Sequence, residues 1–506
     1  KNYQIKDHTE VDLDEHHKLA VDAASESMVL LKNEHILPLH QHEKVLMITG
    51  FDQEIRYQGG GSSHINPYRL EQFSDVISKD KYSTKVVKGF RVDQDIDDES
   101  LIDEALLEAV KADKVVVVCG LPEYMETEGF DRTHLNLPHN QIHLLNRLSK
   151  VHQNVIVVLL TGSVVNLSVL DQMKGLLVAY LGGQGSAQAI MDILYGKKNP
   201  SGRLAETWID DIKDCNVQLT DDNQAIYYDE SIYVGYRYYD TFNQQVRYPF
   251  GYGLSYSSFT YNSFSIEKSG DMYHAKINLS NQSDVFGKEV IQIYGKNPKT
   301  SLHKAKRQLI AFDKIELNPH ETKDIVIPIN LNELQVYDVE SHSYVFEQGT
   351  YELELSHHVG SVIFKEEILI EGKTLKTEAT SYTKETYDPS DFEKLYGQPL
   401  PKKKVLRKRP YSLDSTLEDC RNTLVGKLIA NQIQKAGIKA MGTMETPWLM
   451  EVAKKTLNET PLKMLGLFSD GTVSLDMIEG LVDIMNLKFI KGYQKIRKDK
   501  KEKNEA

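Results

Sequence analysis

The feature that most constrains the fold of this chain is a change in hydrophobic periodicity near residue 212. Before that point, continuous apolar runs of strand length alternate with segments whose apolar residues recur at helical spacing. The strand-like runs are 45–49, 115–119, 155–160 and 176–180, and the helical segments include 20–31, 101–110 and 186–195. This alternation is typical of a mainly parallel sheet with helices on both faces. We therefore predict an α/β/α sandwich over residues 1–212.

Beyond residue 212 the sequence predicts different structures in succession. Residues 213–258 are rich in tyrosine and glycine and have little periodicity, which is typical of a connecting segment or bridge. Short stretches with period two and no intervening helices then predict a β-sandwich over 259–372. A polar, proline-punctuated linker is expected over 373–410, followed by a small helical domain over 411–506. The expected fold class is therefore multidomain, α/β plus β.

Composition excludes some classes of function. The net charge of −13 argues against general binding to nucleic acid, which needs a basic surface. No apolar run approaches the roughly 18–20 residues that span a bilayer, so no membrane partner is expected. The three cysteines, Cys119, Cys215 and Cys420, have neither metal-ligand spacing nor the even number of a disulfide framework. With no signal-like segment ahead of the fold, these features predict a cytoplasmic protein.

Carboxylates are concentrated in the loop after the run 115–119. Glu123, Glu126 and Glu128 lie within a stretch of six residues. Gly129 and the pair Asp131-Arg132 follow, and we expect this pair to support the loop. A second loop, with Gly59-Gly60-Gly61, follows the run 45–49. Ligands of parallel α/β sheets bind at the carboxyl ends of the strands, where both loops are expected. Spacing alone also fits an acidic surface loop held by an ion pair.

Residues 121–138 resemble a loop of family 3 glycoside hydrolases of the β-glucosidase type. The matching motif is Glu128-Gly129-Phe130-Asp131-Arg132, followed by Leu135, Leu137, Pro138 and Gln141. The resemblance implies that Glu128 is the general acid/base, and Glu126 is the alternative for that role. It also implies that Gly60, Gly61, Ser62 and Ser63 lie near the substrate pocket.

The resemblance extends over roughly residues 16–372. The segments 182–204, 228–239 and 248–256 resemble the end of the family's sandwich domain and its bridge into a fibronectin type III-like domain, and 287–294 resembles that domain itself. The implied activity is retaining hydrolysis of a β-glucoside or oligosaccharide, and no metal, nucleotide or other cofactor is implied. Packing between domains is the expected role of the aromatic residues in 248–256, and stacking on sugar rings is the alternative.

The family's nucleophile has no counterpart in this sequence. The resemblance implies an aspartate in a Ser-Asp-Trp-like motif on a (β/α)8 barrel, but Trp208 follows Glu206-Thr207 and Trp448 follows Thr446-Pro447. Ser469-Asp470-Gly471 lies in the predicted helical tail and also lacks the tryptophan. A barrel needs roughly 250 residues, for which this chain has no room. We therefore expect a barrel-less part of such an enzyme, inactive alone, that needs a barrel in cis or in trans.

Other functions remain open at this stage. The same domains could form a non-catalytic carbohydrate-binding or scaffold protein, or serve another specificity such as β-xylosidase. The sequence also leaves an oligomer open.

Overall fold

The computed structural model describes residues 11–61, 63–128, 131–217, 228, 230–270, 272–296, 304–338, 340–374, 388, 393, 398–399, 409–441, 447–466 and 473–505. The chain divides into two compact units. The first contains residues 1–128, 132–216 and 230–399, and the second contains 129–131, 217–229 and 400–506.

A mainly parallel sheet forms the centre of the first unit. Its strands are β1 (Val29–Asn33), β2 (Val45–Thr49), β3 (Thr84–Lys88), β4 (Lys114–Gly120), β5 (Val155–Leu160) and β6 (Gly175–Val178). They are arranged in the order β1-β6-β5-β4-β2-β3. All neighbouring pairs are parallel except β1 and β6, which are antiparallel. The predicted fold class is confirmed.

Helices cover this sheet on both faces. They are α1 (Leu13–Ser27), α2 (Phe73–Asp80), α3 (Glu99–Ala109), α4 (His139–Leu148) and α5 (Ser186–Leu194). Helix α5 contacts both α1 and α2, and α3 contacts α4. Because both faces are covered, every residue of β5 is buried, which explains its uninterrupted apolar sequence.

One predicted helix has the wrong boundary. The helical pattern of residues 20–31 suggested one continuous helix, but α1 ends at Ser27 and residues 29–33 form the edge strand β1. Val29 and Leu30 pair with Val178 and Leu177 of β6. Burial of their side chains in the sheet, together with these backbone hydrogen bonds, outweighs helical continuation.

The β-sandwich follows in the same unit. One sheet has the order β10-β9-β14-β15, the other has β11-β8-β7, and β12 pairs with β13. The strands are β7 (Phe259–Ser269), β8 (Met272–Asn281), β9 (Gly287–Lys296), β10 (Gln308–Leu317), β11 (Thr322–Ile329), β12 (Val336–Asp338), β13 (Ser343–Val345), β14 (Gly349–Ser356) and β15 (Val362–Ile370). In β11, buried Ile325, Ile327 and Ile329 alternate with exposed neighbours, which is the predicted period of two.

The aromatic bridge packs against the α/β domain. It contains the short helix α6 (Tyr236–Thr241), and further along Tyr248, Tyr252 and Tyr256 lie against that domain's apolar core. The Leu254 amide donates to the Leu30 carbonyl at 2.8 Å, and the Trp208 amide donates to the Tyr248 carbonyl at 2.9 Å. These aromatic side chains therefore have a packing role.

The second unit contains the helical tail. Its helices are Leu417–Cys420, Leu424–Met441, Pro447–Glu459, Leu462–Leu465, Leu475–Met485 and Phe489–Glu505. A small core includes Tyr411, Leu417, Leu462 and Met485. The last helix runs through the charged terminal sequence.

Candidate active site

The two predicted loops meet at the carboxyl edge of the parallel sheet. They follow the neighbouring strands β2 and β4, in which Thr49 pairs with Val118. Gly60 forms a parallel bridge with Thr127, and the Glu128 amide donates to the Gly60 carbonyl at 3.3 Å. Backbone pairing therefore brings the glycine loop against the carboxylate-bearing segment.

Two of the glycines are required by this contact. A Cβ atom on Gly60 would lie 2.7 Å from the Thr127 Cβ, and one on Gly61 would lie 2.7 Å from the Glu128 Cβ. Gly61 also has a φ of +90°, which disfavours any side chain. A bare backbone thus permits the close approach. Ser63 is exposed next to this contact, and Ser62 lies outside the described residues.

Glu128 and Glu126 have different surroundings. Glu128 is exposed at the loop surface, beside Gly61. The Glu126 carboxylate accepts a hydrogen bond from the Gly162 amide at 2.8 Å and another from the Ser163 hydroxyl. Its Oε2 also lies 3.8 Å from Arg56 Nη2. Glu126 is therefore committed to the neighbouring loop, whereas Glu128 is accessible from solvent.

The buried side chain of Arg56 connects the glycine loop with the carboxylate-bearing segment. Its side chain is 5% exposed. The guanidinium donates to the Leu121 carbonyl at 3.2 Å, to the Glu126 carbonyl at 2.9 Å and to the carbonyl of Gln58. Three backbone carbonyls and one nearby carboxylate therefore surround one buried cation.

The Asp131-Arg132 pair divides between two environments. Arg132 Nη1 donates to the Ser163 hydroxyl at 3.0 Å and to the Val164 carbonyl at 2.7 Å. Asp131 is exposed, and the described residues provide no ion-pair partner for it. Arg132 therefore makes contacts that support the loop. A supporting role for both Asp131 and Arg132 stays a prediction.

A further carboxyl group, Glu206, lies near this cluster and was not predicted as a site residue. Burial raises its pKa to about 7, and the negative charge of Glu126 contributes to the increase. The Tyr180 hydroxyl and the Trp208 indole nitrogen lie beside it, although neither atom has a well-aligned hydrogen-bond partner among the described residues. A carboxyl with this pKa exists in both protonation states near neutral pH.

Sequence reasoning also missed Arg56, His64 and Ser163. His64 Nε2 lies 2.5 Å from Glu123 Oε1, which adds another link between the glycine loop and the carboxylate-bearing segment. The available signal was position, since Arg56 and His64 flank the glycine triplet and Ser163 follows a buried strand. No local pattern distinguished these residues from ordinary loop residues.

The described residues contain neither a cluster of metal ligands nor a membrane-spanning helix. In the described ranges, no group of three or more His, Cys, Asp or Glu side chains has a geometry that could hold a metal ion. No helix in the described part of the chain combines the length and hydrophobicity needed to cross a bilayer. Ser469-Asp470-Gly471, which partly matches the family's nucleophile motif, lies outside the described residues.

Comparison with known families agrees with this architecture. Residues 28–256 match the glycosyl hydrolase family 3 C-terminal domain, and residues 289–359 match a fibronectin type III-like domain. The chain is a family 3 C-terminal-type protein. Both matches fall within the regions for which the motifs of the sequence indicated that resemblance.

Individual relatives support the family 3 membership. Thermostable β-glucosidase B of Acetivibrio thermocellus is 34% identical over 491 residues, which cover 95% of this chain and 61% of the relative. Exo-α-(1→6)-L-arabinopyranosidase of Bifidobacterium longum is 36% identical over 363 residues, covering 69% of this chain and 48% of the relative. The chain therefore spans about half to three fifths of the length of these curated relatives.

A solved structure shows the same fold. The crystal structure of a family 3 β-glucosidase from Bifidobacterium adolescentis superposes with a TM-score of 0.69 at 31% identity, covering 84% of this chain and 59% of that chain. The resemblance of the sequence to β-glucosidases of family 3 is thus matched in three dimensions.

Proposed function

We propose that this chain provides the general acid/base, Glu128, of a retaining family 3 β-glucosidase. The observation that carries the proposal is the exposure of Glu128 beside Gly60 and Gly61, while Glu126 is occupied by Ser163, Gly162 and Arg56. The β-glucosidase names of several relatives support the substrate class.

The chemistry needs two carboxyl groups about 5–5.5 Å apart in retaining enzymes. One attacks the anomeric carbon and forms a glycosyl-enzyme, while the other donates a proton to the departing oxygen. Glu128 performs the second role and then accepts a proton from the water that releases the sugar. The nucleophile comes from a (β/α)8 barrel that joins this chain in cis or in trans.

Solvent access favours Glu128 over Glu126 as the acid/base. A general acid must reach the glycosidic oxygen directly, and Glu128 is the more exposed of the two. The hydrogen bonds from the Gly162 amide and the Ser163 hydroxyl tie the Glu126 carboxylate to the protein, which suits an anchor better than a proton donor. Gly60, Gly61 and Ser63 are proposed to contact the sugar from the same edge, together with Ser62.

The test compares substrates with different leaving groups. The intact chain alone is expected to show negligible turnover of an aryl β-glucoside. When a family 3 barrel is supplied, Glu128→Gln should lower kcat/KM for cellobiose by about 10²- to 10⁴-fold, because its leaving oxygen needs a proton. Activated aryl glucosides need no proton and should lose little.

A matched control separates this effect from a general loss of carboxylate charge. Glu104→Gln removes an exposed carboxylate from α3 and should leave both substrates unaffected. Equal losses on both substrates for Glu128→Gln, or a leaving-group effect confined to Glu126→Gln, would contradict the assignment. Clear hydrolysis by the chain without a barrel would contradict the need for an external nucleophile.

A second sugar specificity is suggested by the arabinopyranosidase relatives. Those proteins, from two Bifidobacterium species, are 36% and 34% identical to this chain. The alternative function is release of an L-arabinopyranose unit by the same acid/base. Parallel assays of aryl β-D-glucoside and aryl α-L-arabinopyranoside with the barrel-complete protein would decide between the two sugars.

A further inference from the structure

Ser163 lies in a well-anchored turn after β5. The hydroxyl of Thr161, which is fully buried, donates to the Ser163 carbonyl at 2.5 Å and accepts from the Ser163 amide at 3.3 Å. The same turn places the Gly162 amide against Glu126. This turn therefore presents a donor and a hydroxyl group from a fixed backbone.

The Ser163 hydroxyl joins both sides of the segment that carries Glu128. It donates to the Glu126 carboxylate, two residues before Glu128, and accepts from Arg132 Nη1, four residues after it, at 3.0 Å. Hydrogen bonds in which one partner is charged are stronger than those between neutral groups. One hydroxyl therefore fastens the segment on both sides of the exposed carboxyl.

Arg56 fastens the same segment to the glycine loop. Its contacts with the carbonyls of Leu121, Glu126 and Gln58 hold the start of the segment, its middle and the glycine loop in one arrangement. The guanidinium is almost completely buried, so these contacts are shielded from water. Lysine, as a point charge, cannot reproduce the forked geometry.

We propose that Ser163 and Arg56 are positioning residues that act through Glu126 to aim Glu128 at the glycosidic oxygen. This inference rests on the proposed role of Glu128 and extends it. Glu128 lies on an exposed loop, and a proton donor must be held within about 0.5 Å of its working position. The buried contacts of Glu126, Arg132 and Arg56 supply that restraint to the loop backbone.

The first test measures the leaving-group dependence of the barrel-complete protein. Ser163→Ala is expected to lower kcat/KM for cellobiose by about 10- to 100-fold, since a displacement near 1 Å has that scale of effect. Activated aryl glucosides should change by less than about threefold, because kcat/KM reports glucosyl transfer and that transfer then needs no proton. Ser163→Thr keeps the hydroxyl and should restore most of the loss, and Arg56→Lys should behave like Ser163→Ala.

The control for Ser163→Ala is Ser149→Ala. Ser149 lies at the end of α4, where its hydroxyl donates to the Asn146 carbonyl. Its substitution by alanine therefore removes a comparable hydroxyl group at a position away from the site. Both substrates should be hydrolysed normally by this variant. Equal losses on both substrates for Ser163→Ala would indicate a merely structural role and would overturn the inference.

The second test uses the intact chain without a barrel and so does not depend on catalysis. Hydrogen exchange should become at least about tenfold faster in Ser163→Ala for residues 123–128 and 131–132, while residues 155–160 of β5 keep the parental rate. Unchanged exchange in 123–128 and 131–132 would overturn the inference. If Glu128→Gln shows the expected leaving-group effect and Ser163→Ala shows none, the positioning role is overturned and the acid/base role of Glu128 stands. If Glu128→Gln itself shows no leaving-group effect, the acid/base role of Glu128 is overturned.

Discussion

Glu206 at the carboxyl edge of the parallel sheet and the buried carboxylates near Arg307 and Lys304 in the β-sandwich differ in the sign of their charged neighbours. In the sandwich, Arg307 donates to Glu354 at 2.5 Å and to Asp240 at 2.6 Å, and Lys304 donates to Glu347 at 2.9 Å. At the sheet edge, Glu206 has Glu126 as its charged neighbour. Glu206 therefore has a like charge beside it, whereas Glu354, Asp240 and Glu347 each have a cation beside them.

The pKa values of Glu352 in the sandwich and Glu206 at the sheet edge are shifted in opposite directions, although burial also raises the pKa of Glu354 in the sandwich. Burial alone would raise the pKa of Glu352, but hydrogen bonds from Lys296 and Lys365 lower it to about 2. Burial and the charge of Glu126 instead raise the pKa of Glu206 to about 7. Carboxyl groups with raised pKa values are more common at sites that handle protons. The two lysines thus keep Glu352 ionised, whereas Glu206 has no such cation and lies beside a second carboxylate.

The largest expected effect tests the structural network. Arg307→Met leaves Glu354 and Asp240 buried without their main cation, and loss of one partner from such a pair costs roughly 3–5 kcal/mol. We expect a lower urea midpoint for the sandwich at pH 7. Arg307→Lys, which keeps the charge, should lose less. A midpoint equal to that of the parent would show that the two regions do not differ as described.

The next effect tests the sheet edge, where removal of a charge is expected to stabilise the protein. The raised pKa of Glu206 means that the folded state binds its proton more tightly than the unfolded state does. Its contribution is therefore present below pH 4.5 and is lost as the pH rises towards about 7. Glu206→Gln should exceed the parent in unfolding free energy at pH 8 by at most about 3 kcal/mol.

The control for Glu206 is a carboxylate in water. Glu104→Gln on α3 should leave the pH dependence of unfolding unchanged. The advantage of Glu206→Gln should shrink as the pH falls from 7 towards 4.5 in denaturation experiments. A constant difference across that range would mean that ionisation of Glu206 is not the cause, and the contrast with the sandwich would weaken.

The smallest change in stability is expected for the partly exposed ion pairs that Glu26 of α1 forms with two lysines of the β-sandwich. Glu26 accepts from Lys288 at 2.6 Å and from Lys314 at 2.9 Å. Although burial opposes the change, these two lysines lower its pKa to about 2. Its stabilising contribution is therefore present above pH 4.5 and is lost as the pH falls towards 2.

Glu26→Gln should cost no more than about 1 kcal/mol at pH 7, as is usual for exposed ion pairs. The loss should decrease at 1 M salt, where the Debye length is only about 3 Å. Thermal unfolding at low and high salt would measure both quantities. A loss as large as that of Arg307→Met would remove the distinction between buried and exposed pairs.

Much of the fold could be predicted because apolar patterning is local. The run 155–160 is apolar throughout since β5 is covered on both faces, and the period of two in residues 323–329 reflects one buried face of β11. Strand β3 has the sequence Thr-Lys-Val-Val-Lys and lies at the sheet edge, so its pattern is too weak to identify. Strand β1 was mistaken for helix because its partner β6 is almost 150 residues away.

The site could be predicted only in part. Glu128 and the glycine loop were found through a family motif, and their roles stay proposals. Arg56, Ser163 and Glu206 belong to three separate segments, and no spacing rule connects them. Their relation to Glu126 becomes visible only when the loops after neighbouring strands are brought to one edge.

The sequence by itself determined the succession of an α/β sandwich, a β-sandwich and a helical tail, because burial imposes a period on each element. It also determined which carboxylates stand in the loop after β4. Only the tertiary structure decided that Glu126 faces an anchored turn while Glu128 is exposed. The reason is that side-chain direction in a loop depends on distant backbone, here the glycine loop and the turn after β5.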